Sequence, residues 1–420
     1  MADPTDVMRR HVTRQVMHWW AATDGLSNLE SMAAPSAWAQ LERYLGVSLR
    51  KCLSEAAEQL NRECEVVRAR LRAARSLEDL KEVQRAVIAF RDRYLRTETL
   101  VDFYSHAVNT RTSPELGATL RACDLMAQRS MQNLLEPLGQ KAPQVLTYLE
   151  RGLGASILKA GLRLWDGGTL SPAAAIKITF HNRRRPTALI HETGHQVAHI
   201  LNWNEELAAT LERGLSEAPI DVRKTWAAWT SEIAADCFAF VNTGYGSVSA
   251  LGDVVGGPGS AVFRFIPGDP HPIAFLRVML GVEMCVRTFG AGPWEELGKA
   301  WTETYDISEA GAGVQALILS SLPLLPRIVE LCLRTPQRAF KGKTLCDIVD
   351  PARVRPEALY ELEKSVGTSL FVSPRWILAE CLRLLALYSL RFSTQPERGP
   401  EILRDQTNWM NRLGAELLAA

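Results

Sequence analysis

No two of the chain's eight cysteines form a C-x-x-C pair. Cys52, Cys64, Cys123, Cys237, Cys285, Cys332, Cys346 and Cys381 are scattered, mostly within apolar helical patterns. That spacing argues against a disulfide framework or a cysteine-built zinc knuckle, and for reduced, buried thiols in a cytoplasmic protein. Net charge is almost absent: 48 basic side chains face 47 acidic ones. No whole-molecule field is available to gather nucleic acid or an anionic membrane. The opening MADPTDVMRRHVTRQVMHWW lacks an apolar stretch of signal-peptide length, which argues against secretion by that route. Long hydrophobic runs are lacking too. The most apolar, VQALILSSLPLLPRIVELCL (314–333), contains Pro323, Pro326, Arg327 and Glu330. A membrane span needs roughly 20 unbroken apolar residues, so a soluble protein with no span and no nucleic-acid partner is expected.

What is present fits a globular protein of 420 residues, 47% hydrophobic and 23% charged, long enough for two or three domains. Most of it reads helical. Residues 36–76 place apolar side chains every three to four positions, with alternating charge on the other faces. SLEDLKEVQRAVIAFRDRYLR (76–96) starts with a serine that can cap and an acidic first turn. ELGATLRACDLMAQRSMQNLLEPLG (115–139) predicts a third helix, stopped by Pro137 and Gly139. After GLRLWDGGTLSP (161–172), the segment AAIKITF (174–180) alternates Ile176, Ile178 and Phe180 with Lys177 and Thr179, as a strand does. Residues 243–272 hold seven glycines and four prolines and predict a long irregular connection.

The chemistry concentrates in LIHETGHQVAHI (189–200). His191 and His195 stand at i and i+4, neighbours on one helical face with about 6 Å between Cβ atoms. That is close enough for both imidazoles to bind one ion. Glu192 follows the first histidine, where it can reach a metal-bound water as a general base without becoming a ligand. His199 lies about 12 Å farther along the axis, too far for a straight helix to share it with His191, so a packed or supporting place is expected for it. The third ligand must come from elsewhere. In TWAAWTSEIAADCFAFVN (225–242), Glu232 and Asp236 sit in an apolar stripe of Trp226, Trp229, Ile233, Cys237 and Phe240. Two readings stand: a half-exposed acidic edge, or Glu232 on the metal with Asp236 accepting a hydrogen bond from a ligand histidine.

The order H-E-T-G-H (191–195), E-I-A-A-D (232–236) and H-P-I-A-F-L-R (271–277) resembles gluzincin-type zinc peptidases. It is most similar to the family of the CAAX prenyl protease and the HtpX heat-shock protease. The resemblance covers about 180–285 and implies that His191, His195 and Glu232 bind Zn2+, with Glu192 as base and proton shuttle. It further implies that Asp236 supports a ligand histidine, and that His271 and Arg277 steady the oxyanion or hold the glutamate ligand. Many relatives are membrane-embedded, so neither a membrane location nor a prenylated substrate is carried over.

The resulting expectation is a mainly α protein in three parts. A helical N-terminal region (1–160) precedes a zincin-like metallopeptidase core with a small β-sheet (161–300), and a helical region (301–420) follows. The expected activity is zinc-dependent hydrolysis of peptide bonds in a protein or peptide substrate. The alternatives are a helical interaction protein with a structural or vestigial zinc site, and a zinc hydrolase acting on something other than a polypeptide. Three further expectations concern the cleft. Strand 174–180 offers an edge for an extended peptide. Arg183, Arg184 and Arg185 form either a solvated turn or a selector of acidic residues. Loop 243–270 covers or blocks the cleft.

Overall fold

The computed structural model describes residues 3–150, 156–159 and 173–419; the 161–172 connection lies outside them. The chain is mainly helical with one three-stranded sheet. It forms two compact units, Met1–Ser113 with Leu158–Ala175, and Pro114–Ile157 with Ile176–Ala420. These divide the chain at 113, 157 and 175 rather than at the expected 160 and 300.

The first unit is built from α1 (Pro4–Leu26), α2 (Pro35–Leu45), α3 (Leu49–Ala73) and α4 (Leu77–Asn109). The 36–76 pattern breaks at Gly46, whose left-handed φ of 67° ends α2. Ser76 caps α4 as its position predicts: its side chain accepts from the Asp79 N–H while Asp79 reaches back, a reciprocal capping box. Leu53, Leu60, Val83, Val87 and Phe90 are buried, the apolar faces that α3 and α4 offer α1 and each other.

The second unit begins with α5 (Pro114–Leu135) and contains β1 (Gln144–Glu150). Strands β2 (Ser156–Leu158) and β3 (Ala173–Thr179) complete the sheet in the order β1–β3–β2. The strand expected at 174–180 therefore exists, but it pairs on both sides. Its interior place withdraws the expected peptide-binding edge, because its backbone groups are already taken.

Six helices follow: α6 (Ala188–Leu201), α7 (Trp203–Gly214), α8 (Ile220–Ala228), α9 (Thr230–Thr243), α10 (Tyr245–Val255) and α11 (Gly259–Val262). After a turn comes α12 (Ala274–Phe289). Most of the expected irregular segment is thus helix. Gly246 serves close packing rather than flexibility: a β-carbon there would stand 2.7 Å from Ser389 Cβ in the Cys381–Thr394 helix. Gly244, at φ 58°, and Gly268, at φ 85°, are there for their backbone conformation.

The apolar run near 314–333 is not interrupted by its prolines. Helix Ala312–Ser321, a 3-10 turn and helix Leu325–Leu333 run on as 22 helical residues. Pro323 and Pro326 each sit in the first turn of their segment, where a missing N–H costs no hydrogen bond. By length and composition this run is long and apolar enough to cross a membrane; 44% of its apolar 18-residue window is buried inside the protein.

Candidate metal centre

Helices α6 and α9 cross closely because their contact residues are small. A β-carbon on Gly194 would fall 2.7 Å from the Ala235 Cα. This crossing sets the HETGH face against the Glu232–Asp236 face. Nε2 of His191 lies 3.3 Å from Glu232 Oε2, and Nε2 of His195 lies 3.3 Å from Glu232 Oε1. Among the described residues, these three side chains form the one group of histidine, cysteine or acidic ligands able to hold a metal ion. The spacing fits. Ligands about 2.0–2.1 Å from a tetrahedral zinc stand about 3.3 Å from one another.

The outer nitrogens are also engaged. His191 Nδ1 is 2.8 Å from Asp236 Oδ1, and His195 Nδ1 is 3.4 Å from Ser231 Oγ. Arg277, from α12, is buried against the acidic pair. Its Nε and Nη2 donate to Asp236 Oδ2 and Oδ1 at 2.6 and 2.8 Å, and Nη2 also stands 2.9 Å from Glu232 Oε2. The half-exposed acidic edge is excluded, since Glu232 and Asp236 are 6% and 8% exposed.

Burial opposes the charge on Glu232, but hydrogen bonds from His191 and His195 and the Arg277 charge outweigh it and hold the carboxyl well below its ordinary range. Asp236 is lowered for the same kind of reason: burial works against it, while Arg277 and His191 prevail. Desolvation likewise works against the Arg277 charge, yet Asp236 and Glu232 keep the guanidinium firmly protonated. Glu192 is different. Its burial raises the carboxyl above the usual value, and the neighbouring histidines only partly offset this.

The group lines a cavity of about 790 Å³ that also contains Glu192, His271 and Arg277. The expected lid is a wall instead: Ser247, Val248, Leu251 and Val254 of α10 line this cavity. Ser156 and Ile157 of β2 line it too. His271 is 63% exposed, with Nε2 3.7 Å from Glu232 Oε1. His199 is exposed and outside the ligand group; of the packed or supporting place expected of it, the packed one is withdrawn. Eight residues advance the helix by about 800°, so His199 sits some 80° round from His191. Of the arginine triplet, Arg185 borders the cavity but is engaged within the chain, 2.6 Å from Asp253 and stacked over Phe392 at 4.2 Å.

Sequence reasoning missed Asp269, whose Oδ1 accepts from the His271 N–H at 3.0 Å and lies 2.6 Å from its Nδ1. The signal was present in GDPH (268–271): glycine turns the chain, and an aspartate two residues before the histidine can reach back to it. Ser231 and the two β2 residues carried no comparable signal. The chain matches no protein-family model, no curated protein and no solved structure.

Proposed function

We propose that this chain is a zinc-dependent metallopeptidase with a zincin-like core, akin to the gluzincins that its three motifs resemble. The observation that carries the reading is the placement of both His Nε2 atoms 3.3 Å from the Glu232 carboxylate, with buried Glu192 in the same cavity. His191, His195 and Glu232 would hold the ion. Zinc bound there supplies a Lewis acid that polarises a carbonyl and makes water acidic near neutral pH.

The remaining work belongs to the chain's own side chains. A Glu192 carboxylate whose affinity for protons is raised by burial takes the proton of the attacking water and returns it to the leaving amine. Arg277 acts as a positioning residue, because its Nε and Nη2 are engaged by Asp236 and Glu232. His271, anchored by Asp269 at Nδ1, presents Nε2 to the cavity; protonated, it donates to the oxygen that gathers negative charge. With β3 interior, edge strand β2 beside the cavity is the segment on which an extended peptide can pair.

The test combines metal analysis of the purified protein with cleavage of a peptide library by wild type and Glu192→Gln. Zinc near one per chain and cleavage by wild type alone are expected. Zinc-free protein, or equal cleavage by both, would sink the reading.

A further inference from the structure

Arg185 ends the short 3-10 turn that leads into α6, six positions before His191. Its N–H donates to Asn182 O at 3.1 Å, which ties the two residues into one turn. Both side chains line the cavity that holds the metal group. Nη1 of Arg185 donates to Asp253 Oδ2 of α10 at 2.6 Å, and the guanidinium lies over the Phe392 ring at 4.2 Å. These two contacts fix the plane of the group and occupy Nη1.

The other edge has no such partner. Nε and Nη2 of Arg185 and Nδ2 of Asn182 are buried, with no acceptor among the described residues. On a guanidinium those two nitrogens form the fork that grips a carboxylate through parallel hydrogen bonds, as Nε and Nη2 of Arg277 grip Asp236. Buried donors that lose water and gain no acceptor destabilise the fold. Packing accounts for the Phe392 stacking and the Asp253 pair. It does not account for three unmet donor atoms beside one cavity. The acceptor they lack is not supplied by Glu232 or Asp236, which are held by the histidines and Arg277.

We propose that the Arg185 fork, with Asn182 beside it, is a specificity site for a carboxylate of the substrate. That carboxylate is an acidic side chain or the free C-terminus of a peptide held at the metal group. The Arg185 side chain is 14% exposed and that of Asp253 65%, so a small turn of the two together brings the fork to an entering oxygen without unpacking α6. A neutral amide of the same shape leaves the charged donors poorly met and is selected against. Of the two readings of the arginine triplet, the selector then holds for Arg185 alone. The inference rests on the peptidase reading and names the class of peptide that the site prefers.

Cleavage kinetics on paired peptides test it. One set carries Glu or Gln at each position around the cleaved bond; the other has a free or an amidated C-terminus. Wild type should favour one carboxylate peptide over its neutral twin about 10- to 100-fold in kcat/KM, the range of a hydrogen bond to a charged group. The set that shows the preference identifies the carboxylate. Arg185→Gln should erase the preference, and Arg185→Lys, which keeps the charge but not the fork, should restore little of it. Asn182→Ala leaves the Asp253 pair and the Phe392 stacking in place; it should reduce the preference, and it carries the test if Arg185→Gln fails to fold. Arg184→Gln, on the same turn but not among the cavity's lining residues, should keep the preference. Equal cleavage of all twins by wild type, or a preference that survives in Arg185→Gln, would overturn the proposal while leaving the peptidase reading intact. A wild type that cleaves none of the peptides would overturn both.

Discussion

Gly194 and Ala235 approach so closely that a β-carbon on the glycine would stand 2.7 Å from the alanine Cα and 3.1 Å from its carbonyl oxygen. The centre of the HETGH motif is thus the point where α6 touches α9. The contact brings two histidines from one helix to a glutamate from the other.

Gly194→Ala should therefore damage the site, although alanine is the better helix former by about 1 kcal/mol. The obstacle is backbone, which cannot rotate away, and forced overpacking of this kind costs about 1–3 kcal/mol. We expect a lower unfolding midpoint and weaker zinc binding, measured by thermal unfolding and chelator competition. Unchanged affinity would show that the helix crossing does not set the ligand spacing.

Glu192→Gln should retain the metal and lose hydrolysis, because it keeps the shape of the side chain but removes its basicity. His195→Ala should lose both. Metal content and turnover measured on the same preparations separate the two roles, and persistent turnover in Glu192→Gln would refute the assignment of the base.

Arg277→Gln leaves two buried carboxylates without their cation, a change that costs about 3–5 kcal/mol in comparable buried networks. Arg277→Lys should recover little of this, since an ammonium cannot match the two-pronged grip on Asp236. Denaturant unfolding of the two variants decides the matter; near-native stability for Arg277→Lys would mean that charge alone suffices.

The metal-free protein should show a pH signature from His191. Burial disfavours its charged form, but Asp236 outweighs this and the imidazole is pushed up to about 9. A folded value above the unfolded one, about 6.5, stabilises fully below pH 6.5, and that contribution is lost as pH rises through about 9. The unfolding midpoint of chelator-treated protein should fall across that window. Zinc affinity should rise over the same range, because the ion displaces the His191 proton. A flat profile in both measurements would contradict the Asp236–His191 pairing.

Much of this was written locally. The capping serine at 76, the three-to-four spacing of the amphipathic helices and the i, i+4 placement of His191 and His195 all concern residues within a few positions of each other. Backbone hydrogen bonding within one segment converts such spacing directly into geometry. The same holds for the pairing of Asp269 with His271, which short-range reading overlooked although both residues lie in one turn.

Other features depended on partners far along the chain. Glycines at 246 and 252 looked like loop residues, yet they lie in α10; a bare Cα at 246 suits a close neighbour 143 positions away, Ser389. Strand β3 showed its alternation but not whether its edges were free, which the flanking strands decide. Pro323 and Pro326 suggested a break that first-turn placement removes. By itself the sequence determined the amphipathic helices before residue 140, the paired histidines and the order of the acidic and arginine motifs. Only the tertiary structure decided that Glu232 meets both imidazoles, that Arg277 is engaged by the carboxylates, and that α10 walls the cavity. The reason is that side-chain periodicity reports which face an element buries, whereas the neighbour covering that face is chosen by packing across the whole unit.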